Sequence, residues 1–132
     1  MPDQDDYRHL IESEEKFRDL FDHANDLIHF SSPEGMILYV NAAWITTLGY
    51  NEGELQNRFI YEIIHPDDIE RFRNYREQIL KGEKETSLIN FRFIKKDGGF
   101  VTVEGYLTVK TKDGKPLYTR AILRNVFSTR SR

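Results

Sequence analysis

Two adjacent carboxylates follow a histidine in His65-Pro66-Asp67-Asp68, and further imidazoles stand at His9, His23 and His29. Carboxylates beside an imidazole are raw material for general acid–base chemistry or metal ligation. Their setting points elsewhere. The four residues open a helix, and either Asp suits its N-terminus, where negative charge is favoured. His65 reads as a surface or capping residue, and His9 and His23 as solvent-facing. No Ser/His/Asp spacing, phosphate-cradling glycine loop or metal-ligand cluster accompanies them, so the chain reads as non-catalytic and without a metal site. With no cysteine, it also lacks disulfides, cysteine nucleophiles, thiolate zinc sites, iron–sulfur clusters and cysteinyl–flavin photochemistry.

His29 is the exception. It interrupts a strand between Ile28 and Phe30. It either faces water or a backbone carbonyl, or it orients a ligand and titrates, its reference pKa being about 6.5.

The elements that position these residues follow from periodicity. Tyr7 to about His23 reads as a helix whose Leu10, Phe17, Leu20, Phe21 and Ala24 form one apolar stripe. Asp26–Ser32 and Met36–Val40 read as strands around the turn Pro33-Glu34-Gly35. Asn41 suits the N-cap of a short helix, AAWITTL, that Gly49 ends. One more helical turn is expected at 51–55, and a compact apolar piece at Phe59–Ile64. A longer helix spans about Asp67 to Lys81, with Ile69, Phe72, Tyr75 or Arg76, and Ile79 on one face, and Gly82 stops it. Strands at Thr86–Lys95, Phe100–Lys110 and Pro116–Phe127 close the chain, joined by turns at Asp97-Gly98 and Asp113-Gly114.

A lone hairpin is marginal, so the first must join the C-terminal meander. The expected fold is α+β: one five-stranded antiparallel sheet with short helices on one face, plus an N-terminal amphipathic helix. Ile89, Phe91, Phe93, Val101, Val103, Leu107, Ala121 and Leu123 alternate onto one apolar face. Tyr106, Ile122, Ile94 and Tyr118 leave apolar area on the other, which the N-terminal stripe or a second subunit would cover.

The 132 residues are one domain's worth, 39% hydrophobic and 31% charged, with formal net charge −3. Such a balance makes a poor nucleic-acid binder. No apolar run approaches the roughly 18–20 residues of a membrane span, and the acidic start is no signal peptide. A cytoplasmic domain without direct membrane contact is the expectation. Net charge is −6 over residues 1–26 and +6 over residues 110–132, so the ends either serve solubility or pair, within a subunit or across a dimer.

The ordered set Asp26-Leu27-Ile28-His29-Phe30, Gly35, Leu38-Tyr39-Val40-Asn41-Ala42-Ala43-Trp44, Leu48-Gly49-Tyr50, Glu54-Leu55, His65-Pro66-Asp67-Asp68, Lys96-Asp97-Gly98 and Arg124-Asn125-Val126 resembles a PAS (Per-Arnt-Sim) sensor domain with its C-terminal PAC strands. The resemblance covers about residues 23–127. Residues 1–22 would form a flanking dimerisation helix, with Leu10, Phe17, Leu20 and Phe21 as its contact. Residues 128–132 would start an output linker or end the chain.

The resemblance implies a sensory input domain that passes its state to a covalently attached output domain, often a histidine kinase or a cyclic-dinucleotide enzyme. Arg124, Asn125 and Val126 would relay the signal out of the last strand. Many relatives carry Asp where Asn125 stands, so coupling here would be neutral rather than ionic.

The same resemblance argues against the family's known cofactors. Ile60 stands where the photoactive flavin branch needs a cysteine. Phe93, Val103 and Leu123 stand at positions that hydrogen-bond the flavin ring, and burying a polar ring edge without partners costs about 1–3 kcal/mol per group. The haem branch takes an axial His from the longer helix, and residues 69–81 hold neither His nor Met. By this alignment His29 and Ser31 face the cavity while Ile28 and Phe30 face outward. The expected pocket is His29, Ser31, Trp44, Ile60, Phe72, Tyr75, Phe91, Phe93, Val103 and Leu123, suited to an unknown small, largely apolar molecule with one or two polar handles. The competing reading makes these residues core only, and the chain a ligand-free dimerisation or protein-interaction module.

Overall fold

The computed structural model describes residues 25–126. The expected helix over 7–23, with Leu10, Phe17, Leu20 and Phe21, lies outside the described residues, as does Phe127. Strands β1 (Leu27–Ser31) and β2 (Ile37–Val40) are followed by helices α1 (Ala42–Leu48) and α2 (Glu52–Leu55), a 3-10 turn at Ile60–Glu62, and helix α3 (Pro66–Leu80). Strands β3 (Ile89–Ile94), β4 (Phe100–Lys112) and β5 (Lys115–Asn125) complete the chain. The sheet is antiparallel in the order β2-β1-β5-β4-β3. The first hairpin thus joins the meander through β1 and β5, with His29 opposite Ala121 and Leu27 opposite Leu123.

Local chemistry fixes the boundaries. The Asn41 side-chain oxygen accepts from Trp44 N–H at 3.2 Å to cap α1, and Gly49 ends that helix at φ 90°. Asn51 and Glu54 exchange side-chain-to-backbone bonds in a capping box around α2. Asp113 and Gly114 both adopt positive φ, 53° and 77°, as a two-residue hairpin turn requires. Gly105, inside β4, allows a close approach: a Cβ there would stand 2.0 Å from the Ile122 carbonyl oxygen.

Two expectations shift. Strand β3 begins at Ile89, three residues later than Thr86, because Thr86 reaches β4 through its hydroxyl, which donates to the Leu107 carbonyl at 2.6 Å. Of the four residues expected to leave apolar area on the outer sheet face, Tyr106 is 50% exposed but Tyr118 is buried. Tyr118 packs into a second cluster with Ile28, Phe30 and Leu38, its ring centroid 5.3 Å from that of Phe30. Both faces of β1 are therefore buried. The larger core lies between the sheet and the helices.

Candidate functional site

The ten residues expected to line a pocket are all buried, and they meet between the sheet and the helices. Alternation along β1 sends His29 and Ser31 inward and puts Ile28 and Phe30 in the outer cluster. A chain of rings crosses the interior. Phe72 to Phe91 is 4.7 Å between centroids, Phe91 to Phe93 5.0 Å, Phe93 to Trp44 5.2 Å and Trp44 to His29 6.0 Å. Phe93, Val103 and Leu123 present only hydrocarbon to this space.

Ile60 belongs to a segment stitched across the site. Its N–H donates to the Gly35 carbonyl at 2.8 Å, and Ile94 N–H donates to the Ile63 carbonyl at 2.7 Å. The segment is thus tied to the β1–β2 turn at one end and to β3 at the other. Tyr75 contributes its ring, while its hydroxyl is used elsewhere, donating to the Ser87 carbonyl at 2.5 Å.

Helix α3 is fixed over the site by an ion pair. The Asp68 carboxylate accepts from Arg92 Nε and Nη2, each at 2.9 Å, and from the Arg92 backbone N–H at 2.8 Å. Those side-chain bonds hold the Asp68 carboxyl below its ordinary pKa, against the opposing effect of burial. Asp67 and Asp68 do not converge on a reaction centre. His65 caps the same helix, its Nδ1 accepting from Asp67 N–H at 3.1 Å.

Sequence reasoning left Arg76 as an alternative to Tyr75 on the helix face. Both are buried, and Arg76 enters the site with its charge. Its Nη1 donates to the Pro33 carbonyl at 3.0 Å and the Tyr61 hydroxyl at 3.4 Å. Its Nη2 donates to the Ser31 hydroxyl at 3.3 Å and to the Ser32 carbonyl. The signal was present: a residue four after Phe72 and three before Ile79 belongs to the buried stripe whatever its charge. Burial lowers the Arg76 pKa from its ordinary value, and nearby Tyr61 partly opposes this.

Thr119 was also missed. Its hydroxyl lies 2.6 Å from that of Ser31, both fully buried. His29 is held near pKa 3, first by desolvation and then by the Arg76 charge, so its imidazole is neutral at physiological pH. Among the described residues, neither of its ring nitrogens has a hydrogen-bond partner, nor does Trp44 Nε1 or Arg76 Nε.

The expected relay residues sit apart from this interior, at the end of β5. Arg124 is pinned across the strands to the Glu104 carboxylate, Nη2 to Oε1 2.5 Å and Nε to Oε1 3.1 Å. That bond raises the Arg124 pKa. Asn125 stands opposite Val103, and Val126 is half-buried beyond it. An open groove of about 690 Å³ runs outside α3 between Asp67 and Asn90 and shares only Tyr75 with the interior set.

Comparisons with known proteins agree with this architecture. A family model described as the PAS fold matches residues 37–123. The chain is 27% identical over 120 residues to a probable diguanylate cyclase, DgcE, of Escherichia coli, covering 90% of this chain and 11% of that protein. It is 36% identical over 81 residues to a methyl sulfide methyltransferase-associated sensor of Methanosarcina acetivorans, covering 61% of this chain and 8% of that protein. The chain therefore spans about a tenth of the length of these relatives. Among solved structures, the PAS domain of an HTR-like protein from Haloarcula marismortui superposes with TM-score 0.69 at 24% identity, over 93% of this chain and 99% of that one.

Proposed function

The chain belongs to the PAS-fold family, and we propose that it is the sensory input domain of a larger signal-transduction protein. In this reading it takes a small, largely apolar ligand between sheet and helices and passes its occupancy out through β5. The observation that carries the reading is His29. A fully buried imidazole with two partnerless nitrogens, set against Trp44 and Phe93, costs stability that a bound molecule would restore. Register supplies the route outward. Strand β1 pairs with β5 over five residues, and β5 runs on to Arg124, Asn125 and Val126.

The remaining parts of the proposal rest on likeness and on patterning. Similarity to a probable diguanylate cyclase supports a covalently attached output domain of the cyclic-dinucleotide-enzyme type, and similarity to a sensor supports a signalling role; the histidine-kinase alternative rests on the family resemblance alone. A cytoplasmic location fits a chain in which, among the described residues, no helix is long and apolar enough to cross a membrane. A homodimer through Leu10, Phe17, Leu20 and Phe21 is proposed from the apolar stripe alone. Leu10→Asp with Phe17→Asp should leave a monomer in sedimentation; a surviving dimer removes that contact.

The ligand reading is tested by mass spectrometry of the purified chain under native and then denaturing conditions. A small molecule retained in the first and released in the second is the expected result. A bare mass, together with a melting temperature that no small acid or amide shifts, would leave the ligand-free interaction module as the function. The half-exposed Tyr106 on the outer sheet face favours that second reading.

A further inference from the structure

We propose that the interior is an anion site, in which Arg76, Trp44 and His29 receive the carboxylate of a small apolar acid. The inference rests on the ligand-binding reading above and narrows it to a chemical class.

Three observations converge. First, Arg76 is a buried cation with no carboxylate in direct contact among the described residues; Glu34 and Glu77 act on it only through space. It is 1% exposed, and among the described residues no ion pair includes it. All four of its partners are neutral oxygens, those of Pro33, Ser32, Ser31 and Tyr61. A cation withdrawn from water is ordinarily paired.

Second, the partnerless groups of the same interior are mostly donors. Arg76 Nε–H and Trp44 Nε1–H can only donate, and a neutral His29 offers one N–H and one lone pair. Three donors against one acceptor call for an occupant that accepts. Third, the surrounding wall is hydrocarbon, from Ile60, Phe72, Phe91 and Phe93, so the body of that occupant is apolar. One guanidinium balances one negative charge. A carboxylate meets that charge and its fork of donors, whereas a phosphate dianion would leave charge unmatched.

The experiment compares acids with their neutral amides on the full chain. Benzoate is paired with benzamide, and hexanoate with hexanamide, so shape is kept while charge is lost. Binding is followed by calorimetry, by the emission of the single tryptophan, Trp44, and by the imidazole ¹⁵N resonances of His29. The acids should bind at least about tenfold tighter than the amides, as expected of charge-assisted bonds. The His29 resonances should move with acid binding, a change that a purely structural Arg76 would not produce.

Arg76→Met should erase the acid–amide difference, and Arg76→Lys should retain part of it. If Arg76→Met fails to fold, the comparison on the unaltered chain decides alone. Amides that bind as tightly as acids would overturn the anion site and leave the ligand reading standing. If neither series binds at millimolar concentration, the anion site falls, and the mass-spectrometric test above decides the ligand reading.

Discussion

The Ser31 and Thr119 hydroxyls lie 2.6 Å apart, both out of reach of solvent, where β1 and β5 run side by side. Arg76 donates to the same Ser31 oxygen from α3. One hydroxyl thus joins the helix that covers the interior to the strand that leaves the domain. Thr119→Val keeps the shape and deletes this link. It should cost about 1 kcal/mol in urea unfolding, since Ser31 keeps Arg76 as a partner. A larger loss would mean that Ser31 depends on Thr119 alone.

Asn41 ties the first strand to the first helix. Its side-chain oxygen accepts from the Ile28 and Trp44 N–H groups at 3.0 and 3.2 Å, and its amide donates to the Asp26 carbonyl at 2.9 Å. Asn41→Ala removes a helix cap and leaves the buried Ile28 donor unmet, so a loss of about 2–3 kcal/mol is expected. Asn41→Asp keeps the acceptor and should recover part of it. Equal losses in the two variants would show that the amide donor, not the cap, holds this corner.

His29 sets a pH dependence. Its pKa falls from 6.5 to about 3 on folding, so between these values the unfolded chain holds a proton that the folded chain lacks. Stability is full above pH 6.5 and declines as pH falls towards 3, by about 1.4 kcal/mol per pH unit at the steepest. Asp68, held below its ordinary value by Arg92, adds its own loss only as pH falls below the ordinary carboxylate range. Chemical unfolding between pH 7 and about 4.5 should therefore slope for the unaltered chain and flatten for His29→Phe. Parallel curves would place the responsible group elsewhere.

Much of the fold was legible because it rests on local chemistry. Alternation in INFRFI marks the face that β3 buries, Asp113-Gly114 marks a turn that needs positive φ, and Asn41 and Gly49 bracket α1. The inward placement of His29 and Ser31 came from family likeness, and the described structure has them on that side. What stayed hidden depends on partners distant in sequence. Tyr118 reads as uncovered apolar area on the outer face until Phe30, 88 positions earlier, packs on it. Spacing allows Arg76 a place on the buried stripe, but not its partners, the carbonyls of a hairpin turn more than 40 residues away. Periodicity places a side chain on a face, but it does not say what satisfies a charge there.

The central claim is that occupancy of the interior is felt at the end of β5. The most direct test is a titration of ¹⁵N-labelled chain with benzoate, following backbone amide shifts. The account predicts changes at His29–Ser31 and at Thr119 that continue through Ile122 to Asn125. Saturation that moves the interior amides and leaves Ile122–Asn125 where they were would contradict it.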